Sequence, residues 1–133
     1  MVSAQLEQFA IRYTEAWCSQ QAALVAACFE ENGSFAVNSG RPSIGRRAIE
    51  GAAQEFMTDF PDMVLTLDRL VMEKAQLRYY WTMTGTNSGP GGSGKSLRIS
   101  GYEVLEMAET GLIQSAIGHY DEAEWARQIG TEW

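Results

Sequence analysis

The chain has 133 residues, which suits one domain with one core spanning residues 1–133. With 45% apolar and 20% charged residues it reads as an ordinary globular domain, and a chain of this size needs no metal or disulfide staple. A net charge of -7, with the only basic cluster at Arg41, Arg46 and Arg47, argues against nucleic acid and anionic membranes as partners.

Ser3 is placed to cap a first helix in which Leu6, Phe9, Ala10, Tyr13, Ala16 and Trp17 recur at steps of three and four. A second, short helix is expected from about Gln20 to Glu30, stopped by Asn32-Gly33. Ser34 to Asn38 reads as a short strand with Phe35 and Val37 on one side. After a turn at Ser39 to Pro42, Ser43 is expected to cap a third helix. Its inner face is Ala48, Ile49, Ala52, Ala53, Phe56 and Phe60, and Pro61-Asp62 ends it.

Four longer strands follow. Met63, Leu65 and Leu67 alternate with Val64, Thr66 and Asp68 in the first; Leu77, Tyr79, Trp81, Met83 and Gly85 share one face of the next. Leu97, Ile99, Gly101, Glu103 and Leu105 share one face of the third, and Glu109-Thr110-Gly111 turns the chain into a last strand from Leu112 to about Tyr120. The Gly-rich run Ser88 to Gly94 reads as a mobile hairpin loop, and Asp121 as the cap of a tail helix to Gln128. Helices followed by a meander predict an α+β fold, a cone-shaped curved antiparallel sheet packed on three helices around a pocket.

No apolar run reaches the ~20 residues of a membrane span, and Met1 to Gln5 shows no signal-peptide pattern, so a cytoplasmic protein is expected. Cys18 and Cys28 lack paired metal-ligand spacing and a zinc site would lack nitrogen ligands, so the expectation is buried thiols, no metal and no cofactor. Gly89 to Ser96 lacks the spacing of a phosphate loop and precedes a strand.

The element order resembles the nuclear-transport-factor-2-like superfamily of α+β cones. Within it, Trp81-Thr82-Met83-Thr84-Gly85-Thr86 before a Gly/Pro loop, Ser100-Gly101-Tyr102-Glu103-Val104, and the closing Gln128-Ile129-Gly130 are similar to the SnoaL-like polyketide cyclase group. The resemblance covers about Leu6 to Gly130. It implies a homodimer formed through the outer sheet face, here carrying Arg78, Tyr80, Thr82 and Tyr102, and a ring closure by an intramolecular aldol step. That group's acid/base Asp lies in the final strand, three residues before a second Asp. With Asp121 as the second, the acid position falls on Gly118, and the group's frequent His falls on Leu105.

Three candidates for acid/base chemistry remain. Glu103 lies on an otherwise apolar strand face, where desolvation raises a carboxyl pKa toward working pH. The plainer reading is a carboxylate at the sheet edge or paired with Arg78 or Arg98. His119 and Asp121 share a face opposite to Gly118, as a base with an orienting carboxylate or as a structural His beside a helix cap. Tyr13, Trp17, Phe35, Phe56 and Trp81 are the aromatic set expected to wall a pocket for a small apolar or aromatic ligand, or else to pack as plain core. Asn38 and Asn87 are further hydrogen-bonding candidates. Two functions follow: an isomerase-, cyclase- or hydratase-type enzyme using Glu103, or a non-catalytic ligand-binding or interaction module that lacks the group's acid.

Overall fold

The structure, a computed structural model, describes residues 2–130. Ser3 Oγ accepts the backbone N–H of Leu6 at 3.2 Å and opens α1 (Ala4–Cys18), whose Phe9, Ala10, Tyr13, Ala16 and Trp17 are buried. α2 (Ala22–Ala26) is shorter than the expected Gln20–Glu30, because Phe29 already begins β1 (Phe29–Val37). Asn32-Gly33 therefore lies inside a strand and does not end a helix. Pairing decides this: Ile113 N donates to the carbonyl of Cys28 at 2.9 Å, and the register slips between Phe29 and Ser34. A Cβ on Gly33 would stand 3.1 Å from the carbonyl oxygens of Glu30 and Ile113, so glycine marks a close backbone approach at the irregularity.

Ser43 is likewise not a cap. It pairs with Phe35 in β2 (Ser43–Ile44), and Gly45, at φ 89°, precedes α3 (Arg46–Asp59). α3 buries Ile49, Ala53 and Met57, half-buries Ala52 and Phe56, and leaves Ala48 exposed, so its inner stripe is rotated toward Met57 from the expected one. Then come β3 (Val64–Glu73), β4 (Gln76–Thr86), β5 (Ser96–Met107), β6 (Ile113–His119) and α4 (Glu122–Ile129).

The six strands form one open, curved sheet in the order β2-β1-β6-β5-β4-β3. Neighbours run antiparallel except β1 and β6, which are parallel. Alternation sends Leu77, Tyr79, Trp81 and Met83 of β4 and Leu97, Ile99, Glu103 and Leu105 of β5 to the face that the helices cover. This is the expected α+β cone, enlarged by β2 and by a strand-paired β1.

The Gly-rich segment is tied down at several points. Asn87 N donates to Lys95 O at 2.9 Å, its Oδ1 accepts Ser93 N at 2.9 Å, and Gly89 N donates to Asp59 O at 3.3 Å. Asn87 thus spends its side chain on the loop.

The tail closes the fold through a substitute strand contact. β6 pairs with β5 only from Tyr102 onward, leaving the earlier part of that edge open. Gln128 fills it: its Oε1 accepts Arg98 N at 2.7 Å and its Nε2 donates to Arg98 O at 2.9 Å. Ile129 is buried beside it, and Gly130 ends α4 in a left-handed cap at φ 77°. No helix among the described residues is long and apolar enough to cross a membrane. Replacing Gln128 by Ala removes both bonds to the β5 backbone, and thermal unfolding should show a loss of about 1–2 kcal/mol with the secondary structure retained.

Candidate functional site

Glu103 stands in the interior of the sheet, on β5 between Tyr79 of β4 and Gly118 of β6. Its alternation places it among apolar residues, and it is 6% exposed. The hydroxyl of Tyr13, from the buried stripe of α1, donates to Glu103 Oε1 at 2.9 Å. No other hydrogen bond reaches the carboxyl from the described residues. Arg78 and Arg98 do not pair with it: Arg78 lies on the outer face, 3.5 Å from Glu73, and Arg98 is exposed. Neither is Glu103 at a sheet edge.

Burial pushes the Glu103 carboxyl up to about 7, and the Tyr13 hydroxyl partly opposes that rise. Tyr13 is itself raised well above the ordinary phenol range, first by burial and then by the adjacent carboxyl. Its ring is fixed by neighbours on four sides, parallel to Phe9 and edge-on to Trp17, Phe29 and Tyr79. Tyr79 in turn is held by its hydroxyl donating to Thr14 Oγ1, which donates to the carbonyl of Ala10.

Glu103 forms one wall of a chamber of about 50 Å³. Trp17 and Phe56 from the helices, Phe35 and Val37 from β1, Trp81 and Met83 from β4, and Gly118 line it with Met63 and Leu65. Tyr120 and Trp125 complete it from the tail. Glu103 is the only ionisable carboxyl or base among these walls. The indole N–H groups of Trp17 and Trp81 are sealed below the surface without an acceptor; that of Trp17 lies beside the Tyr13 hydroxyl but outside hydrogen-bond geometry.

Two glycines shape the floor. A Cβ on Gly118 would lie 3.5 Å from Glu103 Cγ, so the long side chain from β5 occupies the space that β6 leaves open. A Cβ on Gly101 would lie 2.8 Å from the Trp81 ring and 2.3 Å from the His119 carbonyl, so the space beside Glu103 at Gly101 is filled by the indole of Trp81.

Of the sequence candidates, Trp17, Phe35, Phe56, Trp81 and Glu103 meet in this chamber, and Tyr13 stands behind Glu103 as its donor. His119 and Asp121 are not brought to it. His119 stacks on Tyr102 at 4.8 Å on the outer face, and Asp121 is exposed, accepting Glu124 N at 3.1 Å as the cap of α4. Leu105 is fully buried, and Asn38 accepts the backbone N–H of Tyr120 at 3.0 Å. Sequence reasoning missed Val37, Met63, Leu65, Met83, Tyr120 and Trp125 as chamber walls. The available signal was Tyr120 and Trp125, two large aromatics in and just before a short polar tail helix. Among the described residues no three His, Cys, Asp or Glu are grouped to hold a metal ion.

The sequence profile of the SnoaL-like polyketide cyclase family matches residues 7–129. The chain belongs to that family. A putative SnoaL-like polyketide cyclase from Jannaschia sp. CCS1 superposes with a TM-score of 0.86 at 14% identity, covering 100% of this chain and 99% of that one. TsrD from Streptomyces laurentii gives 0.82 at 18% identity, with 99% of each chain covered. A Catenulispora acidiphila protein with a ketosteroid isomerase-like fold, solved in complex with trimethylamine, gives 0.82 at 14% identity over 92% of each chain. No curated protein sequence matches the chain. Likeness at these identities shows the shared fold alone.

Folded Glu103 keeps its proton to pH about 7, whereas an unfolded Glu releases it at its ordinary 4.5. Its stabilising contribution is therefore complete below that lower value and is lost as pH rises through about 7, by on the order of 3 kcal/mol. Denaturant titrations from mild acid to neutrality should show this fall in the wild type, and a flatter profile in Glu103→Gln. Tyr13→Phe removes the one donor that favours the carboxylate, so NMR titration should place the Glu103 carboxyl higher than in the wild type.

Proposed function

We propose that the protein is a small-molecule isomerase or cyclase acting on an apolar or polyketide-like substrate, with Glu103 as general acid/base and Tyr13 as the residue that positions it. The observation that carries this reading is a desolvated carboxyl, pushed up to about 7, facing an apolar chamber. At neutral pH such a group exists in both protonation states and exchanges a proton with little driving force either way.

The ionised carboxylate takes a proton from a carbon beside a carbonyl. The C–H electrons become a C=C bond, and the carbonyl π electrons move onto oxygen. In an isomerisation the carboxyl returns the proton to another carbon as the carbonyl re-forms. In a ring closure the enolate carbon attacks a second carbonyl of the same molecule, and the carboxyl protonates the new alkoxide. Neither route needs a redox cofactor or a metal. His119 and Asp121 have packing and capping roles in this reading, supported by their contacts outside the chamber.

A second reading has its own support. Gly118 and Leu105 stand where the family's ionisable pair is expected, which favours a ligand-binding module without turnover. Trimethylamine in the Catenulispora structure gives a concrete ligand, since aromatic walls around an ionised carboxylate suit a small ammonium. In that case affinity for trimethylammonium rises as pH passes upward through about 7. Under the enzyme reading, Glu103→Gln folds normally and loses turnover by at least about a hundredfold in a screen of enolisable ketones. Saturable binding without product, unchanged in kind by the substitution, sinks the enzyme reading and leaves the module.

The same proposal includes a cytoplasmic homodimer through the outer sheet face, free of nucleic acid and membrane. That face carries Arg78 over Tyr102, Arg69 over Tyr80, and the apolar Ile117 and Val64, 39% and 51% exposed. Sedimentation should report a dimer for the wild type and a monomer for Tyr102→Glu. A wild-type monomer at working concentrations removes this part.

A further inference from the structure

Resting on Glu103 as the working group of the chamber, we propose that the ligand is a single small uncharged ring bearing one oxygen. That oxygen meets the free oxygen of Glu103, behind a door made of Phe56, Tyr120 and Trp125. The polar addresses of the site set the number of polar groups. Glu103 Oε1 is taken by Tyr13, while Oε2 receives no hydrogen bond from the described residues and is not among the sealed atoms. Glu103 is otherwise buried, so the remaining surface of its carboxyl faces the chamber that it lines. The two indole N–H groups nearby are sealed and offer nothing at the surface. A ligand with several polar groups would leave the extra ones unpaired, at roughly 1–3 kcal/mol each. The one other polar side chain on the walls is the hydroxyl of Tyr120, and a sugar, a phosphate or a dicarboxylate carries more polar groups than it and Glu103 Oε2 can pair.

The walls set the size. The space of about 50 Å³ is roughly a third of a dry cavity of ~150 Å³ that takes up benzene. Extra room cannot come from Trp17, Phe35 and Trp81, which are at most 7% exposed and locked in core contacts. It comes from Phe56, Tyr120 and Trp125, which are half-buried and meet at Trp125, whose ring centre lies 6.0 Å from that of Phe56 and 4.9 Å from that of Tyr120. Displacing these tips admits one ring. A fused pair of rings meets the fixed indoles. With a single oxygen the ligand suits the isomerisation route of the proposed function and not the ring closure, which needs two carbonyls in one molecule.

Proton state sets which oxygen is held. The titratable groups facing Glu103 are Tyr13 from α1, Tyr79 from β4 and Tyr120 after β6, all phenols; none is charged at neutral pH. A carbonyl oxygen can only accept, so it binds the protonated carboxyl. A phenol hydroxyl donates to the ionised form and accepts from the protonated one.

The experiment is a titration of the full chain with cyclohexenone, phenol, benzoate and naphthol, followed by NMR at about pH 6 and about pH 8. Cyclohexenone should bind about tenfold more weakly at the higher pH, and phenol should change little. Naphthol should bind the wild type at least about tenfold more weakly than phenol despite its larger apolar area, and Trp125→Ala should reverse that order. Benzoate should not bind at the higher pH. Glu103→Gln should abolish the pH dependence for cyclohexenone. Naphthol binding the wild type as tightly as phenol, pH-independent cyclohexenone binding, or no binding by either single ring overturns the proposal. If Trp125→Ala does not fold, Trp125→Phe and the wild-type comparison still decide the size claim. A separate titration of Glu103 in the ligand-free protein distinguishes the two levels: a value near the ordinary 4.5 removes the acid/base reading itself. A value near 7 with fused rings preferred removes only the present inference.

Discussion

A carboxyl group taken out of water must find a donor, a counter-charge or its proton, and among the described residues Glu103 has one phenol and no cation. Much of the molecule's arrangement around the chamber follows from that one contact. Tyr13 reaches Glu103 because the apolar stripe of α1 packs against the inner sheet face, where Phe9, Phe29, Tyr79 and Trp17 fix its ring. The donor is rigid and the carboxyl's second oxygen is left over. Without the donor the carboxyl would be pushed further toward its neutral form; with a cation it would be held ionised and be a poor acid.

The position of the carboxyl depends on backbone register as much as on residue type. Glu103 and Gly118 are cross-strand partners, so a side chain from either strand projects into the same part of the chamber. β6 has glycine at this position, and Glu103 supplies a carboxyl from the facing position on β5. Both could not be acidic cheaply, since a Cβ at Gly118 would already touch Glu103 Cγ at 3.5 Å and two carboxylates there would repel. Gly118 is thus a physical complement to Glu103.

The two faces of the sheet have different chemistry for a simple reason. Period-two alternation sends Tyr79, Trp81 and Glu103 inward and Arg78, Tyr80, Thr82, Tyr102 and His119 outward. The outer residues make a layer of their own: Tyr80 lies 5.6 Å from Tyr102, and Thr82 bonds Asp68 at 2.6 Å and Ser100 at 2.7 Å. At the chamber's open side, α4 brings Trp125 and is anchored by the Gln128 amide to β5.

Much of this was legible in the chain. The stripe of α1, its Ser3 cap, the strand alternation that isolates Glu103 on an apolar face, and the Asp121 cap all arise from local periodicity and local hydrogen bonding, which sequence encodes directly. The errors fell where a distant strand competed with a local signal. Asn32-Gly33 and Ser43 look like helix boundaries, yet β1 and β2 take them because their backbone groups pair with each other and with β6. Sequence by itself determined the α+β order, the family and a short set of acid/base candidates, Glu103, His119 and Asp121. Only the tertiary structure decided that Tyr13 lies against Glu103, ninety positions away, that Gly118 faces it, and that Tyr120 and Trp125 close the chamber. Those are contacts between elements, fixed by sheet register and helix docking, and no local pattern carries them.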